Sequence, residues 1–132
     1  HEQELKNLAK SLDAKNVLFV GRRVGEPKME AYAACDVFCH PTDYDAFGIT
    51  LIEAMSQGKP VIGSNIGGVP YVIGDRGLIF EKDDLDELEK KLRKLLNDKK
   101  LCEELGKKGQ KYVEKLTWET IAKQVDQLYK NL

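Results

Sequence analysis

The sequence lacks a long apolar run and any excess of one charge, and each shortage excludes a class of protein. No stretch of the 132 residues approaches the roughly 20 consecutive apolar residues of a membrane-spanning helix. With 21 Lys+Arg against 22 Asp+Glu, the formal net charge of −1 argues against a nucleic-acid-binding arm or a polybasic membrane patch. The length predicts one domain, residues 1–132, large enough to bury a real core.

Cysteine is also scarce, which bears on compartment and on metal binding. The 3 cysteines are odd in number and lack the spacing of a disulfide framework, and no signal-peptide pattern opens the chain. We therefore expect a cytoplasmic protein. Cys35, Cys39 and His40 could be imagined as metal ligands, but no second Cys/His pair completes a four-ligand site. We predict buried, small hydrophobic cysteines, a structural His40 and no metal.

Charge and glycine are distributed unevenly along the chain. Residues 16–80 hold 12 charged residues and 9 of the 11 glycines, whereas residues 81–132 hold 25 charged residues among periodic leucines. The first segment is typical of buried sheet with site-forming loops. The second is typical of amphipathic helices, so we predict a helical cover over residues 81–132 within the single domain.

Short apolar runs alternate with helical patterns. Four runs predict strands, at 17–20, 37–39, 60–63 and 78–80. Helices are predicted over 2–13, from Pro27 through Ala33, over 48–56 and 69–73, and three times in the tail, with caps at Asp83 or Asp84 and at Thr117. Because each strand is apolar on both faces, the pattern predicts an α/β fold with a parallel sheet covered by helices on both sides.

The loop that follows the second predicted strand carries the most specific signal. In open parallel sheets, ligands bind beyond the carboxyl ends of the strands. There, Asp45 to Thr50 begin a helix, whose free N–H groups and dipole favour an anion. Glu53 follows about one and a half turns later and can accept hydrogen bonds from sugar hydroxyls. The arrangement suits a nucleotide, with the diphosphate at the helix end and the ribose at Glu53.

Simpler interpretations of these residues stand beside this one. Gly48 can be merely a helix-start glycine and Glu53 a solvated helix residue. Asp43 and Asp45 have the spacing of an Asp-x-Asp metal site, although a pair of acids in a turn is common. We expect Trp118 to anchor the core rather than to stack on a ligand.

The same region resembles a known family. Residues 45–62 read DAFGITLIEAMSQGKPVI, which is similar to the signature of the GT-B-fold retaining glycosyltransferases related to glycogen synthase, often called family 4. The family pattern is an acid, seven residues and a Glu, leading into Glu-Ala-Met and Gly-x-Pro-Val. The preceding strands, the Gly67-Gly68 turn and the tail are similar too, so the resemblance covers nearly the whole chain. It implies a Rossmann-like, partial GT-B C-terminal domain of about four strands.

The resemblance also implies roles for individual residues. Backbone groups of Phe47, Gly48, Ile49 and Thr50 would hold the diphosphate and sugar of a UDP-, GDP- or ADP-linked donor, which is a substrate rather than a cofactor. Two carboxylates would act on that donor: Glu53 at the ribose hydroxyls and Asp45 at the transferred sugar. Three loop glycines and an arginine would complete the site, with Gly21 and Arg22 lining the base pocket and Gly67 and Gly68 closing it. Transfer would retain the anomeric configuration without a metal.

The sequence differs from the family pattern at two positions and represents only part of the family's structure. Asp45 stands where the family usually has Glu, and Tyr71 where it commonly has another Glu. The family's acceptor-binding N-terminal domain and the first part of its donor domain are not represented. We therefore expect an isolated chain that is inactive and prone to self-association through unpaired sheet edges. A parent enzyme could bring it to the inner membrane face.

Two alternatives to a donor-binding portion of a transferase remain. One is a non-catalytic binding or scaffold domain, or a folding fragment, derived from the same family. The other is a different enzyme with a similar fold, such as a nucleotide-sugar epimerase, which would turn over its donor without an acceptor.

Overall fold

The computed structural model describes residues 1–131 and is built around a three-stranded parallel sheet. The strands are β1 (Phe38–His40), β2 (Val61–Ser64) and β3 (Gly77–Phe80), in the order β1-β2-β3. Residues 1–131 also form helices α1 (Glu2–Ser11), α2 (Glu26–Ala34), α3 (Ile49–Ser56), α4 (Val69–Ile73), α5 (Leu85–Asn97), α6 (Lys99–Val113) and α7 (Trp118–Lys130). All strands therefore end at one edge of the sheet, where the loops to α3, α4 and α5 begin.

The core lies on both faces of the sheet because consecutive residues of a strand point to opposite sides. Val61 packs with the buried residues of α3 and α4, while Ile62 packs with Phe80, Leu95 and Leu105 on the other side. Val61 and Ile62 are both fully buried. This is the reason that the apolar runs show no polar alternation, and it confirms the prediction of a sheet covered on both faces.

Helix α6 is held close to the loop after α3 by two buried glycines. A Cβ atom on Gly106 would lie 2.1 Å from the carbonyl oxygen of Gly58, and one on Gly109 would lie 2.9 Å from Met55 Cγ. The absence of side chains lets the helix contact backbone directly. Through this contact, the charged tail is fixed to the element that carries the predicted site.

The predicted strand at 17–20 is wrong. No strand is assigned there, and Val17, Leu18, Phe19 and Val20 are all exposed. An extended segment becomes a strand only when a neighbour supplies hydrogen-bond partners, and β1 pairs with β2 rather than with this segment. The run is apolar, but composition does not reveal whether a partner strand is present. The sheet therefore has three strands among the described residues, not four.

The outer helices differ from the predictions in burial more than in position. Neither α1 nor α7 contributes a buried residue. Trp118 is 84% exposed, so its predicted role as a core anchor is wrong. The tail caps form as predicted, with Asp84 rather than Asp83 accepting a hydrogen bond from the amide of Glu87 and Thr117 from that of Thr120.

The cysteines are free thiols and only partly buried, which is less than predicted. Burial raises the pKa of the Cys39 thiol, and Cys35 and Cys102 shift in the same direction. Among residues 1–131, no helix is long and apolar enough to cross a membrane.

Candidate functional site

Loops from β1 and β2 are joined at the carboxyl edge of the sheet. The Ser64 hydroxyl at the end of β2 donates to the carbonyl oxygen of Thr42 at 2.7 Å, and the amide of Gly68 donates to the carbonyl oxygen of Asp45 at 3.0 Å. Ser64 is buried, so the first of these bonds is shielded from water. The two loops thus form one continuous surface around the start of α3.

Gly67 and Gly68 make this joint possible. A Cβ on Gly67 would lie 2.1 Å from the carbonyl oxygen of Asp45, and one on Gly68 would lie 2.3 Å from that of Ala46. Gly67 also has a φ of +54°, which side-chain-bearing residues rarely adopt. The predicted glycine pair therefore lets the loop after β2 pack against the backbone of the 45–47 turn.

Asp45 is held by three hydrogen bonds. Its Oδ1 accepts from the amides of Phe47 at 2.9 Å and Gly48 at 2.6 Å, and its Oδ2 lies 2.9 Å from Nε2 of His40. These bonds, that from Phe47 most strongly, hold the pKa of Asp45 below its usual value. The carboxylate is thereby fixed as an anion at the turn into α3. His40, predicted to be structural, orients this carboxylate.

The amides of Phe47 and Gly48 therefore donate to Asp45, whereas those of Ile49 and Thr50 have no such acceptor. Among the hydrogen bonds of residues 1–131, none is donated by the amide of Ile49 or Thr50. These are orphan donors of the first turn of α3, at its positive end. Thr50 adds a buried Oγ1 without a partner. Gly48, with a φ of +83°, turns the chain into the helix at this point.

Glu53 lies one turn further along α3 and accepts hydrogen bonds from two side chains of α2. Its Oε1 is 2.5 Å from Nζ of Lys28, and its Oε2 accepts from the hydroxyl of Tyr32 at 3.2 Å. Desolvation in the core, followed by the nearby Glu53 charge, raises the pKa of Tyr32 to about 12. Glu53 is thus a fixed carboxylate rather than the freely solvated residue of the simpler interpretation.

Three residues of this arrangement were not predicted as site residues. Lys28 and Tyr32 are 25 and 21 residues from Glu53 in sequence, and no local spacing connects them. His40 was visible only as the last residue of an apolar run before Pro41. Contacts of this kind arise from the packing of α2 and β1 beside α3, which periodicity does not specify.

The remaining predicted site residues lie apart from these contacts. Gly21 and Arg22 are in an exposed segment that leads into α2, and no hydrogen bond described for residues 1–131 joins them to the 45–53 region. Asp43 forms an ion pair with Lys82 at 3.4 Å. Across residues 1–131 there is no group of three or more His, Cys, Asp or Glu side chains that could hold a metal ion.

Sequence comparison places these features among known proteins. Residues 1–112 match the family described as glycosyl transferases group 1. A sulfoquinovosyl transferase from Arabidopsis thaliana is 33% identical over 123 residues, which are 89% of this chain and 24% of that protein. An O-antigen chain mannosyltransferase from Escherichia coli is 35% identical over 101 residues, 76% of this chain and 26% of that protein. The chain therefore spans about a quarter of the length of these relatives.

Solved structures show the same fold. Sucrose-phosphate synthase from Thermosynechococcus elongatus superposes with a TM-score of 0.86 and 33% identity, over 98% of this chain and 33% of that one. The Anabaena protein HepE, in complex with UDP, gives a TM-score of 0.86 and 26% identity, over 98% of this chain and 36% of that one. The predicted fold class, a Rossmann-like α/β domain of the GT-B type, is confirmed by these superpositions.

Proposed function

The chain belongs to the family of group 1 glycosyl transferases, and from this premise we propose that it binds the nucleotide-sugar donor of a retaining, metal-independent transferase. The acceptor would be a hydroxyl group. The complex of HepE with UDP supports a nucleotide diphosphate as part of the ligand. Because the chain spans a minority of its relatives' length, acceptor binding is assigned to other parts of the parent enzyme, and we propose that the isolated chain has no transferase activity.

One observation carries this proposal, namely that α3 offers two complementary groups on a single rigid element. The free amides of Ile49 and Thr50 lie at its positive end, and Glu53 follows about 6 Å further along the helix axis, given a rise of about 1.5 Å per residue. The amides suit the diphosphate, and the carboxylate suits ribose hydroxyls. A nucleoside diphosphate carries both an anionic group and a vicinal diol, so it can use both groups.

The same residues would assist transfer by stabilising the leaving group. As the bond between sugar and diphosphate breaks, negative charge grows on the diphosphate, and fixed N–H groups aimed at that charge lower the barrier without reorganising. The Asp45 carboxylate, held by His40 and two amides, provides a fixed negative charge beside this site. Such a charge favours the positive character that develops on the sugar when its bond to the leaving group breaks.

A titration of the folded chain with UDP, GDP and ADP, followed by NMR chemical shifts, tests the donor site. We expect saturable binding of at least one nucleotide and a loss of about tenfold or more in affinity for Glu53→Ala, because a hydrogen bond to a charged group contributes about 1.5–3 kcal/mol. Glu89→Ala is the matched control, since Glu89 is an exposed helical glutamate paired with Arg93 away from the site. Absence of binding by a demonstrably folded chain would contradict the proposal.

A non-catalytic binding domain is the second candidate, and the state of Asp45 favours it. About three of its four acceptor positions are already used, two by amides of its own turn and one by His40 at the end of β1. If the parent protein binds nucleotide sugar but neither transfers nor hydrolyses it, this second function replaces the first.

A further inference from the structure

Lys28 and Tyr32 approach Glu53 from the same face of α2. The two positions are four residues apart, so their side chains are neighbours on the helix surface. Lys28 reaches one carboxylate oxygen and Tyr32 the other, at 2.5 Å and 3.2 Å. Tyr32 is itself anchored, because its ring packs edge-on against Phe38 of β1 with the centroids 5.1 Å apart. The carboxylate is therefore tied to both the core and a second helix.

Two donors on different oxygens fix the carboxylate more completely than one does. The terminal torsion of a glutamate side chain is broad, so a single hydrogen bond leaves the carboxylate plane able to turn. Lys28 and Tyr32 together define the plane. The pair is partly shielded, with the Lys28 side chain 33% and the Glu53 side chain 23% exposed, which strengthens their attraction relative to a fully solvated pair.

The arrangement also leaves acceptor capacity unused. An ionised carboxylate has about four lone-pair positions, two on each oxygen. Lys28 and Tyr32 use one on each oxygen, so about one remains on each. Two adjacent acceptors in one plane match the two hydroxyls of a vicinal diol.

We propose that Lys28 is a positioning residue of the donor site, which orients Glu53 so that its two remaining acceptor positions bind the ribose diol. This inference rests on the proposed donor-binding function and adds the residue that sets its preference for ribose over deoxyribose. Lys28 does not need to touch the nucleotide. It acts by holding the carboxylate that does.

A purely structural role for Lys28, as a tie between α2 and α3, makes a different prediction. Loss of such a tie would lower stability and weaken all ligands equally. The chain offers a matched control in the ion pair of Lys91 with Glu87, whose side chains are 30% and 29% exposed. Lys91→Met removes a similar pair, whose hydrogen bonds are to Ile79 and Glu81 rather than to Glu53.

The experiment measures the dissociation constants of UDP and 2′-deoxy-UDP for the wild-type chain and for Lys28→Met, Lys28→Arg, Glu53→Gln and Lys91→Met, by NMR titration. We expect the wild type and Lys91→Met to prefer UDP by about tenfold, the effect of one hydrogen bond to a charged group. Lys28→Met and Glu53→Gln should lose most of that preference. Lys28→Arg, which keeps a cationic donor, should retain it. The ratio of the two constants is independent of the folded fraction.

Three outcomes separate this inference from the proposed function. If the wild type binds UDP and prefers it over 2′-deoxy-UDP, but Lys28→Met keeps that preference or binds UDP more tightly, Lys28 is structural or a competitor and the inference alone fails. If the wild type binds both equally, the assignment of Glu53 to the ribose fails, and the inference with it. If a folded wild-type chain does not bind UDP, GDP or ADP, the donor site itself is refuted, and the inference falls with it.

Discussion

The two carboxylates of the proposed donor site, Asp45 and Glu53, are each held by several hydrogen-bond donors. Asp45 is fixed by His40 from the end of β1 and by two amides of its own turn, and Glu53 by Lys28 and Tyr32 from α2. A side chain whose orientation is set before a ligand arrives loses less conformational entropy on binding. At the scale of single residues, the proposed site is therefore preorganised.

Tyr32 makes the stability of the folded chain depend on pH in the alkaline range. Its pKa is raised to about 12 in the folded state and is ordinarily about 10. The folded chain thus keeps this proton when the unfolded chain has lost it, so the stabilisation is complete below pH 10 and is lost as the pH rises towards 12. We expect the free energy of unfolding to fall by roughly 2 kcal/mol more in the wild type than in Tyr32→Phe over this interval.

Urea denaturation of both proteins between pH 8 and pH 12 measures this difference, and Tyr71→Phe is the control because Tyr71 is 72% exposed. Parallel pH curves for the wild type and Tyr32→Phe would show that Tyr32 keeps its ordinary pKa.

At the scale of elements, the sequence predicted the helices well and the strands less well. The start of α3 and the positions of Gly48 and Glu53 on it follow from local signals, namely a loop glycine before an apolar-periodic segment. The false strand at 17–20 carries a short apolar run, as β2 does, but β2 has a strand on each side and the 17–20 segment has none. Likewise, Lys28 and Tyr32 were missed because their contacts with Glu53 depend on how α2 packs beside α3, which no spacing within either helix encodes.

Helix α6 supplies a prediction at this scale. Gly106→Ala would place a methyl group 2.1 Å from the carbonyl oxygen of Gly58, and backbone cannot give way as a flexible side chain does. We expect a loss of about 1–3 kcal/mol in the free energy of unfolding, the usual cost of overpacking, despite the better helix propensity of alanine. Thermal or urea unfolding measures it, with the exposed neighbour Lys107→Ala as control. Stabilisation by Gly106→Ala would contradict this close contact.

At the scale of the whole molecule, the packed centre is flanked by elements that leave apolar side chains exposed. These residues belong to α1, to the segment before α2 and to α7, and include Leu12, Leu18, Val20, Trp118 and Leu128. The sheet also ends at β1, whose outer edge has no strand partner among the described residues. Exposed apolar surface and an open strand edge both favour association.

From these features we predict that the isolated chain self-associates. Sedimentation velocity over a range of concentrations should show a rising average mass, and Leu18→Lys, which places a charge in the exposed apolar segment, should reduce it. A strictly monomeric profile at the highest concentration would contradict the expectation.

The central claim is that a nucleoside diphosphate binds where α3 begins, at the carboxyl edge of the sheet. Chemical-shift mapping of the folded, isotope-labelled chain with UDP tests it most directly. We expect the largest and saturable changes at the amides of Ile49 and Thr50, with smaller ones near Glu53 and none along α7. Changes that cluster instead on α1 or α7, or that leave the amides of Ile49 and Thr50 unmoved at saturation, would contradict it.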